Sequence, residues 1–213
     1  GAWVYYLERM AMDTEARPAT ICKVMDSHKE FAGGSATITG LDHLEGREVV
    51  VWMDGAPLTD PLITDASEDN ALILTVSGGQ VTLPSVPVSG GCVGLRYEWK
   101  YQSGKLANGI PGYNALLKNK SVASVGLMLA DYVRAGVHFG VTMNDDDFDA
   151  PWSLPVISTA TGLAGDAVVV GVGADEEPFP GGSQIGPDAR LCLTGRSPFP
   201  ASVLAMTLGI ESK

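Results

Sequence analysis

The nearest approach to reactive chemistry in this chain is the run Gly181-Gly182-Ser183-Gln184-Ile185-Gly186. A serine nucleophile needs a sharp strand-to-helix turn, with glycines two residues before and two after it. This run misses that spacing by one residue and lies in a proline-rich loop, so a hydrolase elbow is not expected. The run Asn144-Asp145-Asp146-Asp147-Phe148-Asp149 offers the oxygen ligands a hard cation prefers. It lacks the glycine and the distal glutamate of an EF-hand loop, and a solvated acidic loop is the simpler expectation. His28, His43 and His138 are isolated, and with Cys22, Cys92 and Cys192 they make no zinc spacing. His43 follows Asp42 in a turn and reads as structural, hydrogen-bonded within its loop. His138 lies in strand-type sequence and reads as packed. No pair of carboxylates stands out for glycoside hydrolysis. Gly171-Val172-Gly173 lacks the third glycine and following helix of a phosphate cradle. No catalytic residue, cofactor or metal is expected.

The elements around these residues are strands and turns. Residues 39–55, TGLDHLEGREVVVWMDG, hold the densest signal. Leu41 and Leu44 read as apolar anchors of a polar turn, in which Asp42 or Thr39 can accept backbone amides. Gly46 permits a bend, and residues 48–53 form a β-branched and aromatic strand that ends at the turn pair Asp54-Gly55. SGGQVTLP (77–84) adds a turn and a strand, VGLRYEW (93–99) another strand, and 71–76 a further one. Residues 2–10 alternate as a strand, 13–26 are less regular with a short strand over 20–25, and 59–70 read as an acidic loop. Residues 101–113 read as a connector. Beyond it, residues 118–129 read as a strand or a short helix, with Gly126 and the valines favouring the strand, and strands are expected over 137–143, 167–172, 190–194 and 202–208. The glycine- and proline-rich loop 173–187 separates 167–172 from 190–194.

Composition supports one large β domain or two smaller ones. The chain has 213 residues, 45% hydrophobic and 18% charged, with Gly 26 and Pro 13. That is enough apolar material for a core, with the turn residues that many short strands need. No apolar run is long enough to cross a bilayer, and no basic stretch followed by an apolar one marks a secretory signal within the chain. Three cysteines without paired spacing fit reduced thiols, and Cys92 and Cys192 read as small buried hydrophobes. The net charge of -11 repels phosphate backbones and argues against tight nucleic-acid binding.

One ordered set of residues resembles a known family. It comprises Leu41, Asp42, His43, Leu44, Glu45 and Gly46, then Asp54-Gly55, Gly78-Gly79-Gln80-Val81-Thr82-Leu83-Pro84, and Val93-Gly94-Leu95-Arg96-Tyr97. Together these resemble the tail nozzle (tail tubular, or stabilisation) proteins of short-tailed bacteriophages. YLERM (6–10) and the closing segment 187–211 resemble that family more weakly. Family members are usually much longer and this chain opens without a methionine. It is therefore expected to be a C-terminal portion, a processed product or a shorter relative.

The expected fold is all-β, antiparallel β-sandwich or barrel-like modules with long loops. Residues 1–36 are assigned to the main β domain, 37–103 to a small module carrying the DHLEG block, and 104–213 to a C-terminal β domain. The resemblance implies a structural virion protein, made in the host cytoplasm and placed in the tail. It also implies a homo-oligomer, a hexameric ring beside other phage tail proteins. DNA would pass through that ring without specific binding, and this chain would insert in no membrane. A head-to-tail ring needs two complementary faces on each subunit, for which Trp99, Tyr101 and Tyr113 are candidates. Asp145, Asp146, Asp147 and Asp149, with the acidic stretch 65–69, are candidate channel-facing residues. The alternative is a β-sandwich adhesin that binds a carbohydrate or receptor; a glycan-cleaving enzyme ranks below both.

Overall fold

The computed structural model describes residues 12, 15, 19–63, 70–105, 119–142, 148, 150–154, 168–172 and 186–212. The protein is all-β, with antiparallel pairing throughout the described strands. The described residues fall into two compact units, one built from residues up to Ile63 together with Asn70–Tyr97, the other from Glu98 onward.

The first unit contains β1 (Asp26–Ala32), β2 (Thr37–Thr39), β3 (Glu48–Met53), β4 (Ala56–Pro57), β5 (Leu74–Thr75), β6 (Gln80–Thr82) and β7 (Gly90–Leu95). One sheet runs β1-β7-β3-β4, with β5 also paired to β3, and β2 pairs with β6 in a separate ribbon. Side chains alternate across a strand. Val49 and Val51 of β3 therefore join Ile38, Val81, Val93, Leu41 and Leu44 in one apolar cluster. Val50 and Trp52 point the other way and are equally buried, because residues 19–25 cross that face. The Trp52 indole donates to the Ala19 carbonyl at 2.8 Å. A strand apolar on both faces, EVVVWM, is the sequence record of that double cover.

The second unit contains β8 (Glu98–Gln102), β9 (Lys120–Ala130), β10 (Val137–Thr142), β11 (Trp152–Ser153), β12 (Val168–Val172), β13 (Arg190–Arg196) and β14 (Ser202–Ser212). Its sheets are β11-β10-β13-β8 and β12-β9-β14. Val125, Leu127 and Leu129 of β9 share a core with Phe139, Val141, Leu191 and Leu193 of β10 and β13, so the two sheets form a sandwich. Phe139 and Trp152 stack at a tilt with centroids 5.7 Å apart. Ser202↔Ala130 through Ser212↔Lys120 pair β14 to β9 along their whole length, with two irregularities.

Four expectations change. The 93–99 strand is two strands, because β7 ends at Leu95 and β8 begins at Glu98 in the other unit. Residues 20–25 are not a strand but the buried cover over β3 and β7. β1 is hydrogen-bonded to β7, which places residues 26–32 with the DHLEG module, and that unit closes at Tyr97, short of position 103. The extent of 71–76 also shrinks: only Leu74–Thr75 pair with β3, and Ala71 bridges to Thr59.

Candidate functional site

The block Leu41–Gly46 is a turn of 3-10 helix, with Asp42, His43 and Leu44 at its centre. Leu41 and Leu44 are buried in the core beneath it. Those two side chains fix the turn from below, and backbone bonds Leu44 N–H to Leu41 O at 2.8 Å and Arg47 N–H to Leu44 O at 2.9 Å close it. Gly46 follows with φ 70° and donates its N–H to Val76 at 3.0 Å.

Glu45 carries the block's charge to a distant turn. Its carboxylate accepts the N–H of Gly78 at 3.0 Å and of Gly79 at 2.7 Å, one on each oxygen. These glycines, at φ 63° and 68°, are the central pair of a hairpin closed by Ser77 N–H to Gln80 O at 2.9 Å. Two consecutive left-handed residues make a primed hairpin turn, whose adjacent N–H groups form a concavity suited to an anion. Glu45 occupies it. The Gly79 and Gly78 amides hold the Glu45 carboxyl below its ordinary 4.5 by stabilising the ionised form. Leu41 N–H adds a third bond, to Gly79 O at 2.8 Å. A Cβ at Gly79 would meet only the Asp42 carboxylate, the movable end of an exposed side chain, so it is the left-handed φ that asks for glycine here.

Asp54 repeats the device at the other end of β3. Asp54 and Gly55, at φ 53° and 86°, turn β3 into β4. The Asp54 carboxylate accepts Val88 N–H at 2.9 Å and Ser89 N–H at 2.6 Å, and its own N–H reaches Gly90 O at 3.0 Å. Val88 and Ser89 thereby hold this carboxyl below its ordinary 3.8. Two short loops are thus each tied down by one exposed carboxylate.

Backbone bonds close the 41–46 turn, for which the sequence reading names Asp42 or Thr39 as acceptors, and Glu45 acts on a different turn, the hairpin 77–80. No local spacing announces it, since the partners lie 33 and 34 positions away. His43 is hydrogen-bonded outside its own loop, with Nε2 3.3 Å from the carbonyl oxygen of Ser27, a residue at φ 48° in the β1 irregularity. Lys29 caps the same corner by donating to Thr39 O at 2.7 Å. Trp99 is half-buried on the second unit's core and covers Gly195, whereas Tyr101 is exposed. His138 is half-buried in β10.

Asp145, Asp146, Asp147 and Asp149, the stretch 65–69, Tyr113 and Ser183 all lie outside the described residues. Among the described residues, no three His, Cys, Asp or Glu side chains gather as a metal site. No described helix is long and apolar enough to cross a membrane. What the block can do chemically is hold backbone amides in place. No protein-family model matches the chain, and comparison with curated proteins finds no match either.

Proposed function

We propose that this chain is a structural protein of a short phage tail, contributing with further copies of itself to a ring around a DNA exit channel. The residues that carry the family resemblance are spent on folding: Leu41 and Leu44 anchor, Glu45 and Asp54 clamp, Gly46, Gly55 and Gly79 turn. A protein whose most specific residues build turns does its work by shape.

The observation that carries the reading is a contrast between sheet edges. β1, an edge strand of the first unit, bears Lys29 and Glu30. Charges of that kind on an edge discourage pairing with another chain. β14 runs for 11 residues, SVLAMTLGIES, with no charge before Glu211. In that same sheet Leu204 is 57% exposed and Met128 37%. A long uncharged strand beside exposed apolar side chains suits lateral contact between subunits. The net charge of -11 suits a passage that does not retain phosphate. Synthesis in the host cytoplasm, placement in the tail beside other tail proteins, and a hexameric order belong to the same proposal.

Negative-stain imaging of the purified protein and of its parent particle tests the reading. Rings with a central opening, and antibody label at the distal tail, are the expected result. A monodisperse monomer that binds a glycan, with no label on the particle, would replace it with the adhesin reading.

A further inference from the structure

The cover segment 19–25 is fastened to one face of the first sheet at three places. Ala19 O accepts the Trp52 indole N–H at 2.8 Å on β3. Lys23 Nζ lies 2.6 Å from Glu30 Oε1 on β1. A Cβ built at Gly94 on β7 would sit 2.9 Å from the Met25 Cβ. The register places Glu30, Cys92 and Trp52 side by side on one rung, with Cys92 in the middle. Directly paired residues share a face, and so do positions two apart on one strand. Cys92 therefore points toward the cover segment, between the points where residue 19 and residue 23 are attached. Cys22 lies between those two residues in the chain, and both cysteines have no exposed surface.

We propose that Cys22 and Cys92 are a latent disulfide pair, reduced where the chain is made and oxidised once it leaves a reducing compartment, stapling the cover segment to β7. The pairing stands on the geometry alone; its timing rests on the proposed virion role. With oxidised glutathione as oxidant, one cysteine thiolate attacks that disulfide and releases a glutathione thiolate. The second cysteine then attacks the protein sulfur of the mixed disulfide and releases the second glutathione. Two protein thiols lose two protons and two electrons, and two glutathione thiols appear.

Burial pushes each of the two thiols up to about 12, so the folded chain holds little of the thiolate that reacts. The staple is consequently slow to close until the cover segment lifts. It would span a long loop, the kind whose cross-linking most restricts an unfolded chain. Cys192 lies in the second unit and takes no part.

The test counts thiols alkylated in denaturant, before and after treatment with oxidised glutathione. One arm treats the folded protein at mildly alkaline pH, and a second refolds the reduced chain in the same reagent. The expected result in the refolded arm is a fall from three thiols to one, with a peptide joining Cys22 to Cys92 and a higher melting temperature. The Cys192→Ala variant should fall from two to none. Three thiols remaining in both arms, stable glutathione adducts, or a bridge through Cys192 would overturn the proposal. Ring formation is read separately, so failure of the staple and failure of the virion reading are distinguishable.

Discussion

The two units solve the same problem, a stable β fold, by different means. The second has strands as long as β9 and β14, with 11 residues each, and a sandwich core of Leu, Val and Phe side chains. Its register follows from burial along the strands, since a slip by one residue would turn every apolar side chain outward. The first unit has strands of two or three residues in β2, β4, β5 and β6. Such strands cannot fix their own register, so the turns between them are fixed instead, by Glu45 at one hairpin and Asp54 at the other. Short strands make turn chemistry decisive, and long strands make it secondary.

Substitutions should expose that difference. Phe139 is among the largest fully buried side chains of the second unit, and Phe139→Ala should cost about 3–5 kcal/mol through lost transfer energy and a cavity. Urea unfolding followed by amide exchange in β10 measures it. A loss confined to a few tenths would mean the sandwich tolerates collapse around the site. In the first unit, Gly79→Val should cost on the order of 1–3 kcal/mol, from its left-handed φ. Gly55→Val and Gly46→Val should follow, with Gly46 mildest because open space surrounds it. Equal melting temperatures for all three and the parent would show that the turns bear no strain.

Acid should separate the units next. Glu45 and Asp54 both titrate lower in the fold than in an unfolded chain. Their contribution is present above the ordinary values of 4.5 and 3.8 and is lost as pH falls through the lower folded values. Both groups are exposed, so the effect is modest. Amide exchange in β3 should quicken below pH 4.5 more than exchange in β10. Parallel acceleration in both strands would remove the carboxylate clamps as its cause. The smallest stability effect belongs to Leu204→Ser, at a side chain 57% exposed and outside the core cluster, which should lie within about 0.5 kcal/mol of the parent. The same change should weaken ring formation, read by sedimentation; intact rings would move the subunit contact away from β14.

The sequence declares the first unit's turns more plainly than its boundaries. Leu41, Leu44, Gly46 and Asp54-Gly55 are placed by local residue types, apolar anchors and turn formers, although the bonds of Leu41, Gly46 and Asp54 reach Gly79, Val76, Val88 and Ser89 far along the chain. β3 and β10 are legible as runs rich in β-branched residues ended by turn signals, whereas β9, KSVASVGLMLA, reads as helix or strand until its pairing to β12 and β14 decides. The break at Arg96-Tyr97 is not legible, because Glu98–Gln102 has ordinary strand composition and only its pairing to β13 assigns it to the second unit. Likewise 20–25 looks like a strand because it is apolar, yet its burial comes from lying across β3 and β7. Glu45 bonds to amides more than thirty positions away, and no spacing rule reaches that far.

The central claim is that the DHLEG block is an internal clamp. Amide exchange at Gly78 and Gly79 in the parent and in Glu45→Ala tests it most directly, at neutral pH where the carboxylate is ionised. The account predicts that both amides lose protection in Glu45→Ala, with the change fading along β6. In Glu45→Gln one amide keeps an oxygen acceptor while the other faces a donor, so protection should fall at one glycine alone. Unchanged protection of Gly78 and Gly79 in Glu45→Ala would contradict the account.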